Sequence, residues 1–125
     1  MLIDLLEYGI DKRVQGEFRQ TDNKYRLLEL KNKDSEYVIF LHRLIMKNYL
    51  KLPNHISFEG FSVHHLDGNV QNNHINNLLL MNEEDHYNLH MEEIAGKEPW
   101  DLIIKWRNIM ERIRKGEYYL MSVYQ

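Results

Sequence analysis

An eleven-residue polar segment in the middle of the chain limits the folds that this sequence can adopt. Residues 67–77 read Asp-Gly-Asn-Val-Gln-Asn-Asn-His-Ile-Asn-Asn, with five asparagines in eleven positions. Such a segment is too rich in asparagine and glycine for a helix or a strand, whereas asparagine side chains can replace missing backbone hydrogen-bond partners. The segment therefore predicts an ordered loop between two regular elements.

Apolar runs flank this loop, and a helical pattern follows the second run. Residues 58–63 and 78–81 predict two short strands. Asn82 then predicts the N-cap of a helix with three acids in its first turn, where the helix dipole favours negative charge. Gly96 predicts the end of that helix. The middle of the chain thus reads as strand, long loop, strand and helix.

The remaining predicted elements lie on either side of this middle part. Residues 24–31 and 36–41 predict two strands joined by a hairpin turn at 32–35, and a helix follows from His42 until Pro53 ends it. Residues 1–9 fit a short helix or an edge strand. Pro99 predicts the start of a last helix that runs to about residue 115, and residues 118–125 fit a final strand or a docked tail.

Size and composition are those of one small globular domain. The chain has 125 residues, of which 43% are hydrophobic and 28% charged, and this is ordinary for a folded domain. It has no cysteine, so disulfides and cysteine-ligated zinc are excluded and any metal must be held by His, Asp, Glu or Asn. The sequence shows neither a signal-peptide pattern nor an apolar run of about 20 residues. We therefore expect a soluble cytoplasmic protein.

The charge of the chain is unevenly distributed. The net charge of −3 argues by itself against a nucleic-acid-binding protein. However, residues 1–51 carry +2, residues 52–99 carry −7 and residues 100–125 carry +2, and the acidic middle holds six of the seven histidines. This distribution suits a bound cation with a polyanion lying across it, and it equally suits a solvated acidic surface.

Four histidines of the middle segment have the spacing of a metal site. His86 and His90 are four residues apart on the predicted helix, so both imidazoles project from one face, a good spacing for chelating one ion. His64 and His65 follow the first strand, where neighbouring side chains point to opposite sides. If His64 joins the helical pair, His65 is left as a free base beside the metal, which is the division that metal-assisted hydrolysis needs. Taken singly, each of these histidines is more often a surface or core-edge residue.

These residues together resemble the HNH endonuclease motif of phage and intron-associated proteins, which reads roughly V-x-H-x-D-G-N, N-N, N-L. The matching positions are residues 63–69, 72–73 and 76–78 with His86 and His90. The motif covers about residues 58–92, and a weaker match that includes His42-Arg43-Leu44 extends upstream to about residue 24. The C-terminal third matches nothing.

The resemblance implies a particular fold, the ββα-metal finger, within a small α+β protein. One HNH endonuclease domain would span residues 1–125. It would contain the ββα-metal motif at about 58–95, an N-terminal hairpin and helix at about 24–52 and a C-terminal helix at about 99–115.

The resemblance also implies a role for each matching residue. His65 would be the general base, and Asn77 would bond across the loop to hold the base-bearing strand in place. His64 and His86 would be metal ligands. His90 would be the additional ligand found in histidine-rich relatives such as the colicin nucleases, although relatives differ in whether this later histidine binds the ion. The implied activity is nicking or cleavage of double-stranded DNA, with 5′-phosphate and 3′-hydroxyl products.

The metal, the oligomeric state and the DNA contacts stay open. Three imidazoles favour Zn²⁺, Ni²⁺ or Mn²⁺, whereas Mg²⁺ is as suitable if His90 is not a ligand. A monomer with one such site cuts one strand per visit, so a double-strand cut needs a homodimer or a second binding event. Basic side chains on the flanking helices are candidates for DNA contacts, or else form ordinary solvated helix faces. These are Arg43, Lys47, Lys105, Arg112, Arg114 and Lys115.

A competing interpretation is a non-catalytic nucleic-acid-binding or phage accessory domain whose metal only stabilises a small fold. His65 argues against it, because a structural metal site needs no additional base. As a nuclease, the protein would act in the cytoplasm of a bacterial cell or of a phage-infected host.

Overall fold

The computed structural model describes residues 1–31 and 33–125, so Asn32 of the predicted hairpin turn lies outside the described residues. The predicted α+β class is confirmed. In chain order the elements are β1 (Leu2–Asp4), β2 (Arg13–Gln20), β3 (Arg26–Lys31), β4 (Glu36–Phe40), α1 (Leu41–Tyr49), β5 (Phe61–His65), β6 (Leu78–Asn82), α2 (Glu83–Ile94), α3 (Trp100–Arg114) and α4 (Leu120–Val123). Within these described ranges, every helix is too short or too polar to cross a bilayer.

The chain divides into two compact units. The first comprises residues 1–49 and 65–78, and the second comprises residues 50–64 and 79–125. The first unit contains an antiparallel sheet with the strand order β1-β2-β3-β4, together with α1 and the polar loop. The second contains α2, α3 and α4 and most of the two-stranded sheet formed by β5 and β6. The division falls within β5, between His64 and His65.

Strand β2 of the first unit was not predicted from the sequence. Val14 and Phe18 occupy alternate positions of this strand, but Gly16 stands between them where a third apolar residue would be expected. Glycine inside a strand weakens the pattern from which a strand is predicted. In the structure Gly16 pairs with Leu30 of β3, and a Cβ at this position would collide with the backbone carbonyl oxygen of Glu29. The glycine is therefore required by the close approach of β2 and β3. Residues 1–9 contain both predicted alternatives, since β1 is an edge strand and a 3₁₀ turn follows at Leu6–Tyr8.

The core of the first unit forms where α1 packs against β3 and β4. Leu28 of β3 and Leu41, Ile45 and Met46 of α1 are almost fully buried. Because Leu41, Ile45 and Met46 recur at helical spacing, one face of α1 is apolar. This packing also buries His42, the second residue of the helix.

Strand β5 begins later than the sequence predicts. The predicted strand over residues 58–63 is correct for 61–63 and wrong for 58–60, because Gly60 adopts a left-handed φ of +84° and the Phe61 amide donates to the Phe58 carbonyl in a turn. The strand runs instead from Phe61 to His65. As a result, both His64 and His65 lie inside a regular strand.

Helix α2 is fixed within the second unit by its first turn. The Asn82 side chain accepts a hydrogen bond from the Asp85 amide at 2.9 Å, which confirms the predicted N-cap. The Asp85 carboxylate accepts from Trp106 Nε1 and from Lys105 Nζ of α3, each at 2.7 Å. Asp85 and Leu89 are both buried, so the face of α2 that packs in the core is set.

The predicted final strand at 118–125 is wrong, because residues Leu120–Val123 form the short helix α4. The alternative of a docked tail is correct. Asn82 Nδ2 donates to the Tyr124 carbonyl at 3.0 Å, and Gln125 Nε2 donates to the Glu59 carbonyl at 2.9 Å. These long-range bonds hold the C-terminal residues against the same unit.

Replacing the buried carboxylate should destabilise the protein. Asp85→Ala is expected to lower the free energy of unfolding by about 2–4 kcal/mol, because the buried Trp106 N–H loses its acceptor. Urea denaturation followed by tryptophan fluorescence measures the change. Glu84→Ala, which removes an exposed acid from the same helical turn, should cost less than about 0.5 kcal/mol. Equal losses in the two variants would contradict this account.

Candidate metal centre

The histidines of β5 point to different surroundings. Phe61, Val63 and His65 are buried, whereas Ser62 and His64 are partly exposed. This alternation is that of an extended strand, and it places the imidazoles of His64 and His65 on opposite sides, as the sequence predicts.

The structure brings His64, His86 and His90 together in the second unit. Each offers one ring nitrogen, and these nitrogens lie within 4.8 Å of one another. His86 Nε2 and His90 Nε2 are 3.0 Å apart, and the His64 ring lies 5.2 Å and 5.1 Å from their rings, centroid to centroid. Ligand nitrogens about 2.0–2.1 Å from one tetrahedral zinc ion would be separated by roughly 3.3 Å. The donor set therefore fits a single divalent cation after small side-chain movements.

The electrostatic surroundings keep His86 in the form that a metal needs. Burial is the main cause of a lowered pKa for His86, the proximity of His90 lowers it further, and Glu93 opposes both. A neutral imidazole has a lone pair for a cation, whereas a protonated one has none.

Glu93 is a member of this cluster that the sequence analysis missed. Its Oε1 atom lies 3.9 Å from His64 Nε2. The signal was its position on α2, seven residues after His86 and three after His90, which places all three on one helix face. A carboxylate at this distance supplies negative charge beside the three imidazoles.

His65 lies in the first unit and is nearly fully buried, with 4% of its surface exposed. Its Nε2 atom is 2.8 Å from Asn73 Oδ1. With this amide oxygen accepting, the hydrogen of the neutral imidazole is on Nε2 and the lone pair is on Nδ1. The sequence does not distinguish Asn73 from the other asparagines of the loop, because nothing local marks which of them faces His65.

The ring of His65 completes an aromatic cluster. The ring centroids of His42 and Tyr25 lie 5.0 Å and 6.1 Å from that of His65, and Phe40 lies 5.5 Å from His42. His42 Nδ1 is buried without a hydrogen-bond partner among the described residues. Burial is the main cause that lowers the pKa of His42 to about 4, with contributions from the nearby His65 and Arg43. His42 is therefore a neutral structural residue of this cluster at pH 7.

Asn77 connects the two ends of the polar loop. Its Oδ1 accepts from the Asp67 amide at 3.0 Å, and its Nδ2 donates to Asp67 Oδ1 and to the Asn72 carbonyl, both at 2.9 Å. The Leu66 amide also donates to the Asn77 carbonyl at 2.8 Å. These bonds join Asn77 to the residues that directly follow His65. The hydrogen bond from the Asn72 side chain, followed by those from Asn69 and Asn77, lowers the pKa of Asp67.

The basic side chains expected to contact DNA have varied surroundings. Lys105 bonds to Asp85, and Arg112 forms an ion pair with Glu117 at 2.8 Å. Arg43, Lys47 and Arg114 are partly buried, and Lys115 is exposed. Burial lowers the pKa of Arg43. Arg43 and Lys47 belong to the first unit, and the other four side chains belong to the second.

No family model significantly matches the chain, and neither does any curated protein or solved structure.

Metal binding by the three-histidine cluster can be measured directly. Zn²⁺ titration in a calorimeter should show one ion per chain, and His64→Ala, His86→Ala or His90→Ala should each weaken binding at least about tenfold, because one of three ligands is lost. Zn²⁺ at 100 times its Kd should also stabilise the fold by about 2.7 kcal/mol, and a chelator should reverse this. The control is His55→Ala, an exposed histidine outside the cluster. Unchanged affinity in all three variants would refute the assignment.

The buried His42 should make stability depend on pH. Unfolding returns its pKa from about 4 to the ordinary value of 6.5, so the unfolded chain binds more protons between these pH values. Its contribution to stability is complete above pH 6.5 and is lost as pH falls toward 4, on the order of 3 kcal/mol in all. Urea denaturation at pH 7.5, 5.5 and 4.5 should therefore show a smaller loss for His42→Phe than for the unaltered chain. Parallel losses in the two proteins would contradict this prediction.

Proposed function

We propose that this chain is a metal-dependent endonuclease of the HNH type that hydrolyses phosphodiester bonds of DNA. The observation that supports it most is the division of the two neighbouring histidines of β5. His64 joins a three-imidazole ligand set, whereas His65 is excluded from that set and bonds to Asn73. A metal site that only stabilised the fold would have no use for an adjacent unliganded imidazole.

His64, His86 and His90 would hold the divalent cation. Three imidazoles are suited to Zn²⁺, Ni²⁺ or Mn²⁺. When bound, the ion would supply Lewis-acid stabilisation of the negative charge that builds on the phosphate oxygens. Glu93, beside His64, would add to the attraction of a cation to this position.

His65 would act as the general base. The Asn73 oxygen holds the Nε2 hydrogen, so the lone pair on Nδ1 takes the proton from an attacking water. The water oxygen forms a bond to phosphorus, and the bond from phosphorus to the 3′ oxygen breaks with its electron pair on that oxygen, which then takes a proton from solvent. The products are a 5′-phosphate and a 3′-hydroxyl end.

Asn77 would be a positioning residue. Its side chain bonds to Asp67, two residues after His65, on both the backbone and the carboxylate. These bonds restrain the end of β5 and with it the orientation of the His65 ring. Loss of such an orienting residue lowers the rate without removing the base itself.

The substrate in this proposal is double-stranded DNA, and a monomer with one site would nick it. A homodimer would cut both strands. The enzyme would act in the cytoplasm of a bacterial cell or of a phage-infected host.

Nicking of supercoiled plasmid tests the proposal. The unaltered chain is incubated with Mg²⁺, Mn²⁺, Ni²⁺ or Zn²⁺ and with EDTA, beside His65→Ala and the control His55→Ala, an exposed histidine outside the polar loop. His65→Ala should still bind metal but nick about 10²–10⁴ times more slowly, because it lacks the base. EDTA should abolish nicking.

Two results would reject the nuclease. Equal rates for His65→Ala and the unaltered chain would show that His65 is not the base. No metal-dependent nicking by the unaltered chain, together with a large fall in melting temperature on chelation, would favour the non-catalytic domain with a structural metal.

A further inference from the structure

A polar cleft of about 480 Å³ lies in the first unit, at the end of β2 and the start of β3. It is distinct from the helical basic residues considered above. The residues that line it are Phe18, Arg19, Gln20, Lys24, Arg26 and Gln71.

The lining concentrates positive charge. Three of its six residues are cationic and none is acidic. Arg19 forms an ion pair with Glu29, which lies outside the lining, so Lys24 and Arg26 are the cations on which the inference rests. The first unit as a whole has nine basic and nine acidic side chains. The turn between β2 and β3 produces this concentration. Gln20 and Arg26 are paired across the two strands, and Lys24 lies in the turn between them with a left-handed φ of +68°. The cleft thus has the charge and the hydrogen-bond donors that phosphate groups require.

The aromatic residue of the cleft is already engaged. The Arg26 guanidinium lies over the Phe18 ring, 3.9 Å from its centroid, and Tyr8 contacts the same ring edge to face at 6.3 Å. Arg26 Nη1 also donates to the Tyr8 hydroxyl at 3.0 Å. Single-stranded nucleic acids are bound mainly by stacking bases on open aromatic faces. A covered Phe18 and an oriented guanidinium favour the backbone of a duplex instead.

We propose that this cleft binds the phosphodiester backbone of double-stranded DNA, an inference that rests on the proposed nuclease function. The polar loop connects the cleft to the candidate base, because Gln71 lines the cleft and Asn73 bonds to His65. Two residues span at most about 7 Å, which is about two nucleotides along one strand of a duplex. One short segment of the loop therefore contacts both the cleft and the candidate base.

Equilibrium binding tests this inference without any cleavage. A fluorescent 20-base-pair duplex is titrated with the full chain in EDTA over a series of salt concentrations. The double variant Lys24→Gln/Arg26→Gln should bind about tenfold more weakly, and the slope of log K against log salt should fall by about 2, because two phosphate contacts are lost. Far-ultraviolet circular dichroism and the urea midpoint confirm that the variant folds.

The matched control is Lys12→Gln/Arg13→Gln, which removes the same charge at the other end of β2, roughly 20 Å away. Its affinity should stay within about threefold of the unaltered chain, since charges at that distance are screened. Equal effects of the two double variants, or no duplex binding by the unaltered chain, would overturn the inference. Tighter binding of single-stranded DNA or of RNA through Lys24 and Arg26 would overturn the duplex assignment.

The same measurements separate this inference from the nuclease proposal. A chain that nicks DNA but keeps its affinity in the Lys24→Gln/Arg26→Gln variant refutes the cleft alone. A chain that binds duplex DNA through these two residues but never nicks refutes the nuclease alone.

Discussion

Alternation of side chains along β5 is the constraint on which the candidate site depends. Consecutive residues of an extended strand point to opposite sides, so His64 and His65 have different surroundings although they are neighbours in the chain. His64 meets the two histidines of α2, whereas His65 bonds to Asn73 and lies against an aromatic cluster. A shift of β5 by one residue would exchange the two imidazoles. The position of the turn at Gly60 therefore matters for the chemistry as well as for the fold.

The polar loop after β5 is ordered by hydrogen bonds instead of by apolar packing. Fixing the backbone of a loop costs roughly 1–2 kcal/mol of conformational entropy per residue, and the asparagines offset part of this cost. Asn77 closes the loop by bonding to Asp67 and to the Asn72 carbonyl, and Asn73 bonds to His65. One loop thus restrains the end of β5 and the ring of the candidate base. Gln71 of the same loop faces the basic cleft.

Helix α2 presents its histidines because the neighbouring face, about 100° around the helix axis, packs in the core. Asp85 and Leu89 are buried, and the residue that follows each of them is a ligand candidate, His86 or His90. A buried carboxylate is costly unless it is hydrogen-bonded, and Asp85 accepts from both Trp106 and Lys105. The rotation of α2 about its axis is thereby fixed, and so is the direction in which the two imidazoles point.

Local geometry explains which features of the site could be predicted from the sequence. Helix periodicity places His86 and His90 on one face, and strand periodicity points His64 and His65 in opposite directions. The cap at Asn82 follows from a local hydrogen bond. All three features depend only on residues that are close in the chain. The four-stranded sheet could not be predicted in full, because β2 contains Gly16. Only the contact of Gly16 with the backbone of Glu29 explains this glycine.

Tertiary structure alone decided which partners these residues meet. It selected Asn73 among five asparagines as the partner of His65, buried His42 beside it and placed Arg26 against Phe18 in the cleft. These choices depend on contacts between side chains eight or more residues apart in the chain, and no helix or strand periodicity encodes them.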